Sequence, residues 1–272
     1  MSILVTSLKW LFIAFVVVLI GFNIWGFVAL GKITPDKNAS VNAGANKVVM
    51  VFGATGSAGD GLLKAAIEDP AVERVHVVTR RATPRIDAGV ESGKVEMHLL
   101  KDFTDYSSLR AEIASVNTVL WGLGTSSLNV DDATYTWIHV DFTIAFIEEW
   151  LANRSQGPMS LHYITGMGTD PEGDAHWARE KGRLEREMKA LAEGTPLRTF
   201  SYRSAFIRPT SEKSNPLIYL SEILLTPGSL VITGKELGQA MLEISARTEE
   251  LPNGTLIDNA DSIAYAKAYA TR

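Results

Sequence analysis

Three glycines at intervals of three follow a short apolar run near residue 50. Residues 48–52 read Val-Val-Met-Val-Phe, which predicts a strand buried on both faces of a parallel sheet. Glycines directly after such a strand allow a tight turn, a close approach of the backbone to a pyrophosphate, and close packing of the next helix. The amino terminus of that helix directs unpaired N–H groups at the anion. The sequence therefore predicts a dinucleotide-binding loop, with a glycine-rich structural turn as the alternative. The loop residues are Gly53, Thr55, Gly56, Ser57, Ala58 and Gly59.

Two arginines lie at the end of the second predicted strand, residues 74–80. An acidic residue at this place, about 20 residues after the glycines, would bond the 2′-hydroxyl of NAD. The sequence has Thr79, Arg80 and Arg81 here, and two guanidinium groups suit a 2′-phosphate. We therefore expect NADP rather than NAD, the alternative being a solvated pair of arginines at a strand end.

Further cofactor contacts are expected after the third and fourth strands. Asp102 follows the strand predicted over residues 94–100 and could accept a hydrogen bond from the adenine amino group. Alternatively, it starts the next turn with Thr104 or caps a helix. The fourth strand, residues 118–124, ends where the nicotinamide half of a dinucleotide would lie, at Gly122, Leu123 and Gly124.

Short apolar runs alternate with helical patterns through the rest of the chain. Helices are predicted over residues 105–115, 131–153 and 177–193, and further strands over residues 161–165 and 197–203. This alternation predicts an α/β fold with a doubly wound parallel Rossmann sheet and a ligand crevice at the carboxyl ends of its strands. From residue 204 onward the strand patterns become sparse, and the apolar residues 217–225 could cover the crevice or contact a partner.

A long apolar segment precedes this domain. Residues 10–30 contain one strongly polar side chain, Asn23, and at about 1.5 Å per residue they can cross a hydrocarbon core of about 30 Å. They predict a single transmembrane helix within an anchor of residues 1–33. A cleavable signal peptide and a buried helix of a soluble domain are the alternatives. The polar residues 34–46 are expected to tether this anchor to a domain of residues 47–272.

The charges that flank the apolar segment favour a domain on the cytosolic side. Lys9 and the amino terminus lie before it, and Lys32, Asp36 and Lys37 follow it, which leaves a slight excess of lysine on the side of the domain. Three glycosylation sequons would be used only in a lumen; they begin at Asn38, Asn153 and Asn253. The organelle is not predicted.

Composition makes several functions improbable. The net charge is −5 with charges of both signs interspersed, so nucleic acid is not an expected partner. The absence of cysteine excludes disulfides, thiolate metal sites and cysteine nucleophiles. The five histidines lack ligand spacing, so no metal site is predicted. Trp137 and Trp150 are expected to pack against the sheet or against a second copy of their helix, which leaves a homodimer or a membrane complex open.

These motifs resemble those of the atypical or extended short-chain dehydrogenase/reductase superfamily. The matching stretches are Gly53 to Gly59, the sequence Trp-Gly-Leu-Gly-Thr from residue 121, and Arg208-Pro209. Within it, the chain is similar to the branch of Tat-interacting oxidoreductase-like proteins and their fungal mitochondrial outer-membrane relatives. The resemblance implies a catalytic Ser or Thr after the fifth strand and a Tyr-x-x-x-Lys motif on the next helix. It also implies that residues 204–272 form a small C-terminal lid over the substrate. In this chain Thr165 and Lys181 match the hydroxyl and lysine positions, and Trp177 stands at the tyrosine position.

Trp177 determines whether catalysis is expected. An indole N–H is a donor that does not titrate near neutral pH, so Trp177 cannot pass a proton. Tyr163 and His176 are the alternative proton sources, although Tyr163 should lie deeper than Thr165 and His176 is expected at the surface where a helix starts. Lys181 could still hold the nicotinamide ribose, or it could be an exposed partner of Glu185.

Three functions remain open on this basis. The first is a membrane-tethered NADP-binding protein with little or no catalysis, which acts as a sensor, a scaffold or a subunit of a membrane complex. The second is an active NADP-dependent oxidoreductase or isomerase on a lipophilic carbonyl or sterol-like substrate. The third is a domain that has also lost the cofactor and serves protein contacts.

Overall fold

The computed structural model describes the backbone of residues 2–272 and the side chains of residues 7–272. Met1, the start of the predicted anchor and the site of its amino-terminal charge, lies outside the described residues. The main sheet contains β1 Val48–Phe52, β2 Arg74–Thr79, β3 Val95–Leu99, β4 Thr118–Trp121, β5 Met159–Ile164, β6 Leu197–Arg203 and β9 Thr255–Asp258. A second, two-stranded sheet contains β7 Phe206–Arg208 and β8 Val231–Thr233.

The strands of the main sheet are all parallel and lie in the order β3-β2-β1-β4-β5-β6-β9. The α-helices of the described residues are α1 Ser2–Ala29, α2 Ser57–Glu68, α3 Pro84–Glu91, α4 Arg110–Ser115, α5 Asp132–Thr136, α6 Phe142–Asn153, α7 His176–Ala192, α8 Pro216–Leu225, α9 Gly234–Ala246 and α10 Asn259–Ala270. This arrangement confirms the predicted doubly wound α/β fold. The strand order reverses between β1 and β4, which is where such sheets open a ligand crevice.

Each face of the sheet has its own hydrophobic core. On β1, Val49 and Val51 belong to the core formed with α2, α9 and α10, whereas Met50 and Phe52 belong to the core formed with α4, α6 and α7. All four side chains are fully buried. The strand therefore shows no polar alternation, as expected for a central parallel strand.

The structure differs from the sequence prediction in three elements. The helix predicted over residues 131–153 is divided into α5, a π-helical turn at Trp137–Asp141, and α6. The strand β9 was not predicted, and it places α9 and α10 in the main core rather than in a lid. The sequence predicts Asp261 as the amino-terminal cap of the last helix, whereas the cap of α10 is Asp258, whose carboxylate accepts from the N–H groups of Ala260 and Asp261.

The N-terminal apolar helix lies apart from these cores. Among the described residues, a single helix, Ser7–Ala29, is long and apolar enough to cross a membrane by length and composition, with a mean hydropathy of 2.5. A signal sequence would meet the same criterion. Its large apolar side chains are mostly exposed, for example Trp10 at 64% and Val28 at 77%.

The predicted tether lies along the domain. Backbone N–H groups of Gly31, Ile33 and Asp36 donate to side-chain carboxylates of the C-terminal region at 2.8, 2.8 and 2.9 Å. The acceptors are Asp258, Asp261 and Glu250 respectively. The segment then ends in a 3₁₀ turn, Ala43–Asn46, directly before β1. Gly31 and Ile33, at the end of the predicted anchor, and Asp36, in the predicted tether, are therefore hydrogen-bonded to the domain.

Candidate dinucleotide site

A cleft of about 380 Å³ opens at the carboxyl ends of β1, β2 and β4. These three strands are neighbours in the sheet, so the loops that follow them meet at one edge. Eight residues predicted from the sequence line the cleft: Gly53, Thr55, Gly56, Arg80, Arg81, Gly122, Leu123 and Gly124. Val78, Thr79 and Phe103 complete the lining.

The glycine loop leaves space that no other residue type would leave. Gly53 has a φ of +72°, and a Cβ atom there would lie 2.4 Å from the backbone of Gly122. A Cβ atom on Gly59 would lie 2.1 Å from the carbonyl oxygen of Gly53, so this glycine allows α2 to start close to β1. Gly56 caps α2, whose first turn begins with Ser57 and Ala58. This cradle fits a pyrophosphate group at a helix amino terminus.

Arg80 and Arg81 lie on the opposite wall of the cleft. Both are exposed, and within residues 7–272 neither guanidinium forms an ion pair with a carboxylate. The hydroxyl of Thr79 donates to the carbonyl oxygen of Arg81 at 2.8 Å, which fixes the backbone that carries them. Two unpaired guanidinium groups beside a dinucleotide cleft fit a phosphate monoester.

Asp102 forms the turn that was the alternative to an adenine contact. Its carboxylate accepts from the N–H and the hydroxyl of Thr104 at 2.8 and 2.6 Å. These two hydrogen bonds hold the pKa of Asp102 below its ordinary value. Phe103, rather than Asp102, lines the cleft.

Thr165 and Lys181 come together at the end of β5. The ammonium group of Lys181 donates to the carbonyl oxygen of Ile164 at 2.8 Å, one residue before Thr165. Thr165 is buried, and its hydroxyl oxygen has no hydrogen-bond partner within residues 7–272. A buried polar atom of this kind is costly unless a ligand or water satisfies it. Thr165 and Lys181 therefore meet at one strand end, and neither is among the residues that line the cleft.

Lys181 is not an exposed partner of Glu185. Its side chain is half-buried and turned to Ile164, while both Glu185 oxygens accept from Arg203, at 3.1 and 2.6 Å. Burial lowers the pKa of Lys181 to about 7, although the nearby Glu185 charge opposes the shift. The reason is that burial removes water from the ammonium group and favours the neutral amine.

Trp177 lies one helical turn before Lys181 on α7, where four-residue spacing puts both on one face. Its indole ring is half-buried and lies against Gly168: a Cβ atom on that glycine would be 3.4 Å from the ring. His176, the first residue of α7, is half-buried and lies 3.1 Å from the Thr136 hydroxyl and from the Asp132 carbonyl oxygen.

Tyr163 lies in the core. Its hydroxyl is 2.9 Å from Nδ1 of His139, and the ring is fully buried. Burial raises the pKa of Tyr163 well above its ordinary value and lowers the pKa of His139 to about 3. In this structure Tyr163 therefore has no open path to a substrate.

Sequence reasoning missed a charged cluster beside the glycine loop. The ammonium group of Lys213 donates to the carbonyl oxygens of Thr55 and Gly56 at 3.0 and 3.2 Å. The buried carboxylate of Asp60 accepts from Arg85 at 3.1 Å and from the Thr210 hydroxyl at 2.6 Å. These contacts hold the loop from the C-terminal side. Since Thr210 and Lys213 lie about 150 residues after their partners, local patterns carried no signal for these contacts.

A second polar cluster lies on β2 and on β3, which is the first strand in the sheet order. Metal-ligating atoms of His76, Glu96 and His98 all lie within 4.8 Å of one another. Nδ1 of His76 and Nε2 of His98 are 3.0 Å apart, and Glu96 pairs with Arg74 at 2.7 Å. A hydrogen bond and an ion pair therefore account for the cluster. The sequence did not reveal it because the residues lie on adjacent strands.

Comparison with known structures defines the fold class. An oxidoreductase of the short-chain dehydrogenase/reductase family from Burkholderia thailandensis has a TM-score of 0.62 and 17% identity, and covers 80% of this chain and 92% of its own. The NADP complex of RhlG from Pseudomonas aeruginosa has a TM-score of 0.60 and 14% identity, with coverages of 83% and 98%. The chain therefore has the fold of the short-chain dehydrogenases/reductases.

Sequence comparison points to fungal mitochondrial proteins. The chain is 26% identical over 171 residues to Protein fmp52, mitochondrial, of Emericella nidulans, which is 62% of this chain and 70% of the relative. It is 23% identical over 171 residues, with the same coverages, to the protein of that name from Aspergillus fumigatus. No family model matches the chain. The resemblance noted from the motifs is thereby confirmed.

Proposed function

We propose that this chain is a membrane-anchored NADP(H)-binding protein that turns over substrate slowly or not at all. It would then act as a sensor, a scaffold or a subunit of a membrane complex. The observation that carries the proposal is Trp177, one turn before Lys181 on α7, in a chain whose cleft keeps its glycine cradle and two arginines. The protein thus retains groups for binding and lacks the phenol for proton transfer.

We expect three sets of residues to contact different parts of the cofactor. The N–H groups at Gly56 and Ser57 would face the pyrophosphate, Arg80 and Arg81 would pair with the 2′-phosphate, and Lys181 would donate to the nicotinamide ribose. When bound, NADPH supplies a hydride. Without the phenol that the family has at position 177, reduction of a carbonyl would lose a factor of about 10² to 10⁴ in rate.

Binding measurements with the purified full chain test the cofactor assignment. We expect NADPH to bind more tightly than NADH. The double variant Arg80→Gln/Arg81→Gln should weaken NADPH binding about tenfold to a hundredfold, which corresponds to about 1.4 to 2.8 kcal/mol, and should change NADH binding little. Arg186→Gln, an exposed arginine on α7, is the control for charge loss. Equal loss of both cofactors, or no loss, would contradict the phosphate assignment, and binding of neither cofactor would favour the third function.

The pKa of Lys181 supports a second candidate, an active NADP-dependent oxidoreductase or isomerase on a lipophilic carbonyl. An ammonium group with a pKa of about 7 is in the range that suits a general acid at neutral pH, and Lys181 lies next to Thr165. In a reduction, its proton would go to the carbonyl oxygen while hydride adds to the carbon. Activity should then fall as the pH rises through about 7 and should vanish in Lys181→Met. Binding without turnover across a carbonyl panel would exclude this candidate and favour the first one.

We further propose that the domain faces the cytosol from a mitochondrial membrane, the organelle in the name of its fungal relatives. The side chain of Asn253, in the third sequon, donates to the carbonyl oxygen of Lys189 at 2.9 Å and accepts from Thr199 at 3.0 Å. A glycan there would break these bonds. Electrophoretic mobility of the expressed protein should be insensitive to endoglycosidase, and a glycan-dependent shift would contradict the cytosolic orientation.

A further inference from the structure

The helix α8 carries an apolar surface that the described part of the chain leaves open. None of its ten residues is buried, and its sequence contains only two polar residues, Ser221 and Glu222. Leu217 and Ile223 are each 70% exposed, and Leu220 is 50% exposed. A contiguous apolar patch of this kind marks an interaction surface.

The charge on α8 is turned away from this surface. The carboxylate of Glu222 accepts from Arg208 at 2.7 Å, and both side chains are less than one-third exposed. The exposed face of the helix is therefore apolar and uncharged, which suits contact with hydrocarbon.

The N-terminal helix is joined to the carboxyl end of α8. The amide group of Asn23 donates to the carbonyl oxygen of Leu224 at 3.0 Å and accepts from the N–H of Gly228 at 2.7 Å. A Cβ atom on Gly26 would lie 2.5 Å from the carbonyl oxygen of Gly228, so the two backbones touch. The strongly polar side chain in the apolar segment is thus satisfied by the domain.

These contacts set the depth of α8 relative to a membrane. From Trp10 to Ala29 the helix rises about 30 Å, which is the thickness of the hydrocarbon core. Asn23 lies six residues, or about 9 Å, before Ala29. If α1 spans the bilayer from Trp10, then Asn23 and the end of α8 that it holds lie at or below the edge of the hydrocarbon. A buried amide there needs partners, and Leu224 and Gly228 supply them.

We propose that α8 lies in the leaflet that holds the C-terminal third of α1, with Leu217, Leu220 and Ile223 in contact with acyl chains. The inference rests on the membrane anchoring in the proposed function. A lipid surface is the occupant that the position of α1 favours, because α1 brings the bilayer to this face. A second copy of the chain on the same face is an outcome that the test can reveal.

The chain has no cysteine, so single labels can be placed without further changes. We would prepare Leu220→Cys, Ile223→Cys, Val17→Cys and Leu99→Cys in the full chain, attach an environment-sensitive fluorophore, and reconstitute each into phosphatidylcholine vesicles. Val17 reports on the anchor, and Leu99, 67% exposed at the end of the edge strand β3, is the matched aqueous control. Nitroxide-labelled phosphatidylcholine and aqueous iodide serve as the two quenchers.

We expect labels at 220 and 223 to show blue-shifted emission and quenching by the nitroxide lipid, as at 17, while the label at 99 is quenched by iodide. Iodide quenching at 220 and 223 would overturn the proposal, and so would protection from both quenchers, which would indicate a protein partner. If the nitroxide lipid quenches the label at 17 in either of those outcomes, α1 is in the membrane and only the placement of α8 is wrong. If it does not, the proposed membrane anchoring itself fails.

Discussion

At the scale of single residues, Trp177 separates cofactor binding from catalysis. Trp177→Tyr would place a phenol one turn before Lys181, whose ammonium group lies beside the carbonyl oxygen of Ile164. We expect NADPH-dependent turnover of a carbonyl panel to rise by about 10² to 10⁴, the usual contribution of a positioned proton donor. Steady-state NADPH oxidation at 340 nm measures it.

Trp177→Phe is the matched control because it removes the indole without adding a hydroxyl. Its turnover should stay at the wild-type level. Binding of NADPH should be retained in both variants, since the loop lies on other elements. If NADPH binds to Trp177→Tyr and turnover does not rise, then the missing tyrosine is not what limits catalysis.

Lys181 should make stability depend on pH. Burial lowers its pKa to about 7 in the folded protein, against about 10.4 in an unfolded chain. Between these values the unfolded state binds more protons, so the free energy of unfolding contributed by this site rises with pH. Urea unfolding from pH 6 to pH 10 should therefore show a rise in wild type that Lys181→Met lacks. Lys189→Met, an exposed lysine on the same helix, should retain the wild-type dependence; an identical curve for Lys181→Met would contradict the burial.

Only some of the residues at the candidate site could be predicted from the sequence. The glycine loop and Arg80 could be read because their function depends on residues close in sequence and on a strand end. Lys213 and Asp60 could not, because they act through partners about 150 residues away. Thr165 and Lys181 were placed by family resemblance, and the structure brings them together at one strand end.

At the scale of elements, the junction of β1 and α2 should respond differently to two glycine substitutions. A Cβ atom on Gly59 would meet the carbonyl oxygen of Gly53 at 2.1 Å, so Gly59→Ala should destabilise the protein by about 1–3 kcal/mol through overpacking. A Cβ atom on Gly56 meets the same oxygen at 3.3 Å and otherwise faces the cleft. Gly56→Ala should therefore melt near the wild-type temperature but weaken NADPH binding about tenfold or more, because the pyrophosphate must approach this backbone.

Thermal denaturation and NADPH titration of both variants measure the difference. Loss of NADPH binding in Gly56→Ala without loss of thermal stability would indicate that the glycine loop binds the cofactor. Unchanged NADPH affinity in Gly56→Ala would show that the pyrophosphate lies elsewhere.

The strand β6 was predicted with its bounds, whereas the strand β9 and the π-helical turn were not. The strand β6 occupies the predicted residues 197–203, where Leu197, Phe200 and Tyr202 are buried. The strand β9 is four residues long at the edge of the sheet, with Leu256 42% exposed, and so it has no buried pattern to read. The π turn at Trp137–Asp141 changes the helical period without changing the residue types, so the sequence gives no sign of it.

At the scale of the whole molecule, the docked tether predicts how the anchor and the domain are linked. Arg247 donates to the carbonyl oxygen of Asp36 and pairs with Glu250, which in turn accepts from the Asp36 N–H. Arg247→Met should release this segment and speed tryptic cleavage after the exposed Lys37, while the domain stays folded. Limited proteolysis with mass spectrometry measures the rate. Wild-type cleavage as fast as in the variant would show that the tether is not held.

Synthesis from the N-terminus determines when the segment after α1 can dock on the domain. The N–H groups of Gly31 and Ile33 bond to Asp258 and Asp261, which lie 227 and 228 residues further along. A ribosome synthesises the N-terminal helix first and these carboxylates close to last. Residues 31–33 must therefore remain undocked until β9 and the start of α10 have emerged and folded. Residues 31–33 are synthesised early but dock late, so their docked state indicates that β9 has joined the sheet.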